Sequence, residues 1–237
     1  MTNRNAYIGM DAERLFKNTI GSHTDVLNRL KRHFGIGGEY AKSFSTGTDS
    51  GKSDVMVRFT DATLSANVKA YKTGFNQLTR TTITLFCKEF GLEHLQQLFE
   101  EGAVRVASKQ GRFILESDET KIIETIVPIA RGIVHFSLAR KENPELLVLY
   151  NRSINAMFLY DMKELLDNLD YSVAISSRGV IRIGAFITIQ RKGGNGVHSV
   201  HIPKTSLTHP GNNLQVKMKV GAFVLATPPI ATFSPKN

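Results

Sequence analysis

The sequence has few of the residues that mark disulfide-bonded, zinc-binding or membrane-spanning proteins. Cys87 is the single cysteine among 237 residues, which excludes an intramolecular disulfide and a cysteine-based zinc site. No apolar run reaches the roughly 18–20 residues that a membrane-spanning helix needs. Residues 1–6 also lack the apolar stretch of a secretory signal. We therefore expect a cytoplasmic protein that does not contact a membrane.

Acidic residues are missing from the last part of the chain. Residues 171–237 contain eight Lys or Arg and no Asp or Glu, whereas residues 1–170 contain 22 basic and 21 acidic residues. Nearly all of the formal net charge of +9 therefore falls after residue 170. A region of one charge sign is typical of a surface that binds a polyanion such as nucleic acid. A basic, solvated surface without a partner is the alternative interpretation.

The hydrophobic pattern predicts a mixed α/β protein. After an N-terminal helical part, residues 54–59 and 63–71 have strand composition and are close enough in sequence to form a hairpin. Residues 74–90 predict a helix closed by Gly91, and residues 180–190 and 213–220 each predict a strand.

The change in composition along the chain predicts two parts. Residues 1–150 form the expected core, with its N-terminal helices, and residues 151–237 form a basic, β-rich region. One continuous domain is the alternative.

A set of polar side chains lies on the predicted hairpin. Asn67 and Lys69 are two residues apart on one strand, so they project from the same face, and the hairpin brings Asp54 beside them. Phosphodiester hydrolysis uses a carboxylate to hold Mg²⁺, which prefers oxygen ligands, and an ammonium group to stabilise charge on phosphate. On these three residues alone, an ordinary surface hairpin is the better interpretation.

Further motifs give the chain a resemblance to a known family. It resembles the small monomeric type II restriction endonucleases of the MspI and HhaI group, most of all the member that cuts GCGC. The motifs, in order, are Lys52-Ser-Asp54, Asn67-Val-Lys69, Gly74-Phe-Asn-Gln77, Ser177-Arg-Gly179, Ile189-Gln-Arg-Lys-Gly-Gly194 and Leu214-Gln215 with Lys217. Within the PD-(D/E)XK nuclease pattern, Ser53 stands at the proline position and Asn67 at the second acidic position.

The resemblance implies a fold, an activity and partners. The fold would be a PD-(D/E)XK restriction-endonuclease-like mixed sheet flanked by helices, with a β-rich C-terminal DNA-recognition part. The activity would be Mg²⁺-dependent cleavage of double-stranded DNA at a short G/C-rich palindrome of four base pairs. A monomer in a prokaryotic cell, accompanied by a cognate DNA methyltransferase, is the expected setting. The insertion His198–His209 is longer than the resemblance leads us to expect.

The resemblance also implies catalytic roles. Asp54 would be the metal carboxylate, Asn67 the amide at the second-acid position and Lys69 the catalytic lysine. One carboxylate and one amide are few ligands for a metal ion, and Glu39, or Asp49 in the following loop, is the expected source of a further ligand.

The DNA contacts implied by the resemblance fall into two groups. Gln190, Arg191 and Lys192 would read bases, together with Arg178, because Arg and Lys pair with guanine O6 and N7 in the major groove. Contacts to the DNA backbone, which fix register and supply salt-sensitive affinity, are expected from Asn76, Gln77, Lys204, Lys217 and Lys219.

Two other functions remain open at this point. A DNA-binding protein without catalysis is favoured by the amide at position 67. A structure-specific repair nuclease would share the same core and differ in its preferred substrate.

Overall fold

The computed structural model describes residues 4–45, 54–72, 74–139, 144–194 and 200–235. The chain divides into two compact units, each made of separated segments. The first unit comprises Met1–Asn76, Leu138–Asn168 and Lys219–Asn237, and the second comprises Gln77–Ser137 and Leu169–Met218. The chain therefore passes between the units at four points, whereas the sequence predicted one boundary between residues 150 and 151.

The described residues contain both helices and strands throughout. The helices are α1 Arg4–Thr19, α2 Thr24–Phe34, α3 Ile83–Phe90, α4 Gln96–Ala107, α5 Glu119–Ile126, α6 Ala130–Leu138, α7 Met162–Asn168 and α8 Val220–Ala226. The strands are β1 Tyr40–Ser45, β2 Val55–Phe59, β3 Thr63–Tyr71, β4 Asn76–Thr81, β5 Leu146–Asn151, β6 Ala156–Asp161, β7 Val173–Ile175, β8 Ile181–Ile183, β9 Ile187–Arg191, β10 Leu214–Met218 and β11 Ala231–Phe233.

A mixed six-stranded sheet lies in the first unit, in the order β1-β2-β3-β5-β6-β11. β3 and β5 are parallel, with Asn67 opposite Leu147, and the other neighbouring strands are antiparallel. The predicted β2–β3 hairpin is confirmed, and the Asp54 backbone N–H extends it by donating to the Ala66 carbonyl at 2.8 Å. β5 is buried along Leu146–Leu149, as suits an interior strand of a sheet covered on both faces.

One face of this sheet forms a hydrophobic core with α1 and α2. Alternate residues of β2, Val55 and Val57, are fully buried there, together with Phe16 of α1 and Leu30 of α2. Alternation in a strand sends successive side chains to opposite faces. The intervening positions on β2 and β3 are therefore available for polar groups, including the candidate catalytic set.

A five-stranded sheet lies in the second unit, in the order β4-β10-β9-β8-β7, with α3–α6 in the same unit. The predicted helix over residues 74–90 is wrong in its first half, which forms β4. Thr82 ends the strand and caps α3, because its side-chain oxygen accepts the Leu85 N–H. Several β-branched threonines before the cap favour the strand.

The predicted strand over residues 180–190 is a hairpin instead. β8 and β9 pair antiparallel, and the chain turns at Gly184, whose φ is +53°. A side chain at Gly184 would also collide with the Asp170 carbonyl oxygen, so both the backbone angle and the close approach require glycine.

The predicted strand over residues 213–220 is confirmed as β10, and the helix α8 follows it at Val220. In the part of the chain that the structure describes, no helix combines the length and apolar character that crossing a bilayer would need.

Candidate functional site

Asp54, the residue before β2, and Lys69, on β3, lie side by side in the first unit. The Oδ2 atom of Asp54 accepts the backbone N–H of Val68 at 2.7 Å and lies 3.4 Å from the Lys69 Nζ atom. Lys69 also donates to the Val68 carbonyl at 3.1 Å. Both charged side chains are 20% exposed, so the pair is held by the strand backbone and remains accessible to solvent.

Asn67 is placed differently, because its side chain is fully buried. Its Nδ2 donates to the Leu138 carbonyl at 2.6 Å, and its Oδ1 is buried and has no hydrogen-bond partner among the described residues. A buried acceptor left without a partner is costly. This unpartnered acceptor lies on the strand that also carries Lys69.

The structure separates Glu39 from this set. Thr60 donates its backbone N–H to the Glu39 carbonyl, so Glu39 lies at the end of β2 that is remote from Asp54. Six residues of strand at about 3.3 Å each place these ends about 20 Å apart. The Glu39 carboxylate, which is 84% exposed, pairs instead with Lys31 at 2.7 Å. Glu39 therefore does not supply a ligand beside Asp54.

A different acid, Glu13 of α1, lies near the pair. α1 packs on β3, and Glu13 follows the buried Ala12 at the border of its core face. Burial raises the pKa of the Glu13 carboxyl above its usual value, the charge of Asp54 raises it further, and Lys69 lowers it. Sequence reasoning missed Glu13; the available signal was an acid at the margin of the apolar stripe of the first helix.

The carboxylates of Asp54 and Glu13 are oxygen donors of the kind that Mg²⁺ prefers, whereas the amide of Asn67 is fully buried. Asp54 uses Oδ2 for its hydrogen bonds, and its Oδ1 makes none to the described residues. Ser53, at the proline position of the motif, lies outside the described residues.

A second polar cluster lies at the end of β9 in the second unit. Gln190 pairs in register with the buried Gln215 of β10, and the half-buried Arg191 donates from Nε to the Asn212 Oδ1 atom at 2.7 Å. Burial lowers the pKa of the Arg191 guanidinium from its usual value.

Lys192 adds to an accumulation of positive charge beside Arg191. Burial lowers the pKa of its ammonium group, and the neighbouring charges of Arg80 and Arg191 lower it further. Arg80, on β4, was missed because its segment was predicted to be helical. Positive charges that lower the pKa of a neighbouring ammonium group in this way favour a bound anion.

Arg178 lies at the same end of this sheet as Arg191. It is exposed in the turn before β8, and Ile181 of β8 pairs with Ile189 of β9. The adjacent Gly179 has a φ of +73°, and a Cβ there would lie 2.5 Å from the Ile114 nitrogen. Glycine in the Ser177-Arg-Gly179 motif is therefore explained by the close approach of another backbone segment.

The predicted backbone contacts are divided between the two units. Asn76 and Lys219 belong to the first unit, where Asn76 donates to the Ala70 carbonyl at 2.8 Å. Gln77, Lys204 and Lys217 belong to the second unit; Gln77 and Lys204 are exposed, and Lys217 is half-buried on β10. His198 of the insertion and Asp49, the alternative metal ligand, lie outside the described residues.

Comparison with solved structures shows that the chain is similar to the MspI restriction endonuclease in complex with its cognate DNA. The TM-score is 0.50 and the sequence identity 10%, over 82% of this chain and 77% of that chain. The mixed sheet with flanking helices is therefore a restriction-endonuclease-like fold, and the predicted fold class is confirmed. No protein-family model matches the chain, and no curated protein matches it.

Proposed function

We propose that the chain is a Mg²⁺-dependent type II restriction endonuclease. It would hydrolyse phosphodiester bonds in double-stranded DNA at a G/C-rich palindrome of four base pairs, with GCGC as the first candidate. The observation that carries the proposal is the Asp54–Lys69 pair, 3.4 Å apart at the start of the β2–β3 hairpin and on β3, in a restriction-endonuclease-like fold.

The first unit would carry the chemistry. A divalent ion held by Asp54 and Glu13 would neutralise charge on the scissile phosphate and lower the pKa of the attacking water. Lys69, fixed by Asp54 and the Val68 carbonyl, would place a positive charge where negative charge develops on the phosphate.

The second unit would carry sequence recognition. Gln190, Arg191 and Lys192 would read base edges, since Arg and Lys pair with guanine and Gln also bonds base edges in the major groove. Arg178, at the same end of the sheet, would add a base or phosphate contact.

The remaining cations and amides would hold the DNA backbone. Arg80 joins the set predicted from the sequence, which is Asn76, Gln77, Lys204, Lys217 and Lys219. Such contacts supply affinity that falls with rising salt, and they carry no sequence information of their own.

The proposal includes a cellular setting. The protein would act as a monomer that cuts the two strands in turn, in the cytoplasm of a prokaryotic cell. A cognate DNA methyltransferase would protect the host's own sites.

Digestion of an unmethylated plasmid tests the proposal. Purified protein with Mg²⁺ should give discrete fragments, and the same reaction with EDTA in place of Mg²⁺ should give none. Absence of fragments on several plasmids of different sequence would contradict it. Cutting confined to mismatched or branched DNA would indicate a structure-specific repair nuclease instead.

A DNA-binding protein without catalysis is the second candidate. The observation in its favour is Asn67, an amide at the second-acid position that is buried and bonded to the Leu138 carbonyl. This candidate predicts sequence-specific binding that is the same with and without Mg²⁺ and no cleavage with Mg²⁺ or Mn²⁺.

A further inference from the structure

The segment 200–212 closes against the end of β9 and makes a buried polar network there. Asn212 is 1% exposed, and its Nδ2 donates to the carbonyls of Lys204 at 2.9 Å and Ser206 at 2.6 Å. Its Oδ1 accepts the Arg191 Nε–H at 2.7 Å. Because each polar atom of the amide has a partner, Asn212 holds one orientation.

Backbone contacts join this segment to the residues that follow Arg191. Lys192 donates its N–H to the Asn213 carbonyl at 2.8 Å, and Gly193 donates to the Gly211 carbonyl at 2.9 Å. A Cβ at Gly211 would lie 2.8 Å from the Gly194 carbonyl oxygen, so the two segments are in direct backbone contact. The network around Asn212 is therefore attached firmly to the strand that carries Arg191.

The contact to Asn212 occupies only the Nε edge of the Arg191 guanidinium. Arg191 donates through Nε, and its Nη1 and Nη2 atoms make no hydrogen bond to the described residues. A guanidinium is planar, so an acceptor fixed at Nε also fixes the orientation of the two Nη atoms. Recognition of guanine O6 and N7 requires such a bidentate arrangement.

We propose that Asn212 is a positioning residue for base recognition, which fixes the Arg191 guanidinium so that its Nη edge binds one guanine of the target. The proposal rests on the proposed function, because it needs a DNA target that Arg191 reads. It adds a specificity role for the segment 200–212, which lies mostly within the insertion and does not itself need to touch a base.

Selection from a random pool of short duplexes tests the proposal. The full chain carrying Lys69→Ala, in Mg²⁺, should enrich one motif that contains guanine. Adding Asn212→Ala should lower the preference for guanine at one position of each half-site by about tenfold or more, since a bidentate pair contributes about that discrimination. Affinity for unselected duplexes and its salt dependence should stay the same, because phosphate contacts remain.

Two further variants separate positioning from a merely structural role. Ser206→Ala removes the side-chain hydrogen bonds to Thr208 within the same segment and should keep the guanine preference. Arg191→Ala removes the guanidinium and should lose the preference, and Asn212→Ala should then add no further loss.

Several results would overturn the proposal. An unchanged guanine preference in Asn212→Ala, or a further loss when Asn212→Ala is added to Arg191→Ala, would exclude positioning of Arg191 by Asn212. If Asn212→Ala does not fold in a thermal unfolding assay, an intact guanine preference in Arg191→Ala would exclude it. Failure of the Lys69→Ala parent to enrich any motif would instead reject the sequence-specific function itself, and the inference with it.

Discussion

The two candidate sites, one in each unit, differ in how their positive charge is compensated. In the first unit, Lys69 is paired with Asp54 at 3.4 Å, and a further acid, Glu13, lies near both. In the second unit, Lys192 lies near Arg80 and Arg191, and residues 171–218 contribute no acid at all. Balanced charges with oxygen donors suit an ion and a reaction, whereas unbalanced cations suit a bound polyanion.

Removing Lys69, the cation of the candidate site in the first unit, should give the largest effect on DNA cleavage. Lys69→Ala should lower the DNA cleavage rate by about 10²–10³-fold, as loss of one group that stabilises transition-state charge does, while DNA affinity changes little. Single-turnover cleavage and a binding titration measure the two quantities. Lys42→Ala, which removes an exposed lysine of β1, is the matched control. Cleavage by Lys69→Ala at the rate of the parent would contradict the catalytic role assigned to Lys69.

Removing Glu13, the acid that sequence reasoning missed, should give the second-largest effect on DNA cleavage. Glu13→Gln should raise the Mg²⁺ concentration needed for half-maximal cleavage by about 10–100-fold, the range seen for changes around metal sites. Glu39→Gln should behave as the parent, because Glu39 is exposed and paired with Lys31. Equal Mg²⁺ requirements in Glu13→Gln and the parent would exclude Glu13 from the metal site.

A smaller effect is expected from the second unit. Arg80→Ala should weaken binding to all duplexes alike and reduce the slope of log affinity against log salt by about one. It should also raise the Lys192 pKa, because one of the charges that lower it is gone. NMR titration of the Lys192 side chain and binding at several salt concentrations measure these changes. Lys121→Ala, an exposed lysine of α5 in the same unit, should change neither.

The smallest effect concerns stability. Glu13 has a raised pKa in the folded protein, chiefly through burial, so it binds protons more tightly when folded than when unfolded. Its contribution is favourable below its unfolded pKa and is lost as pH rises through the folded value. Glu13→Gln should therefore raise the Tm of the metal-free protein at neutral pH.

The expected rise in Tm is small. A change of about 1 kcal/mol in the free energy of unfolding corresponds to about 2–4 °C at this length, and we expect no larger change. Added Mg²⁺ should raise the Tm of the parent more than that of Glu13→Gln, because binding stabilises the state that holds the ion. The same shift in both proteins would argue against ion binding at Glu13.

Local patterns in the sequence were sufficient for the central hairpin. Asp54 and Lys69 are close because a short turn joins two alternating strands, and that geometry follows from the strand period alone. The strand period could not show which of Glu13 and Glu39 lies closer to Asp54. Their positions depend on how α1 packs against β3 and on which end of β2 pairs with the start of β1.

The second unit shows a similar limit. Gln190, Arg191 and Lys192 were found as a continuous run, but Arg80 was hidden in a segment whose apolar residues suit a helix as well as a strand. The contact between Asn212 and Arg191 joins positions 21 apart through an irregular segment. No periodic pattern predicts such a contact, because turns and side-chain hydrogen bonds determine it.

Sequencing the DNA ends produced in a Mg²⁺ digest of a plasmid of known sequence is the most direct test of the central claim. The account predicts that all ends fall within one short G/C-rich palindrome and that Lys69→Ala produces none in the time that the parent needs for a complete digest. Ends scattered without a common motif, or no ends despite tight binding to DNA, would contradict it.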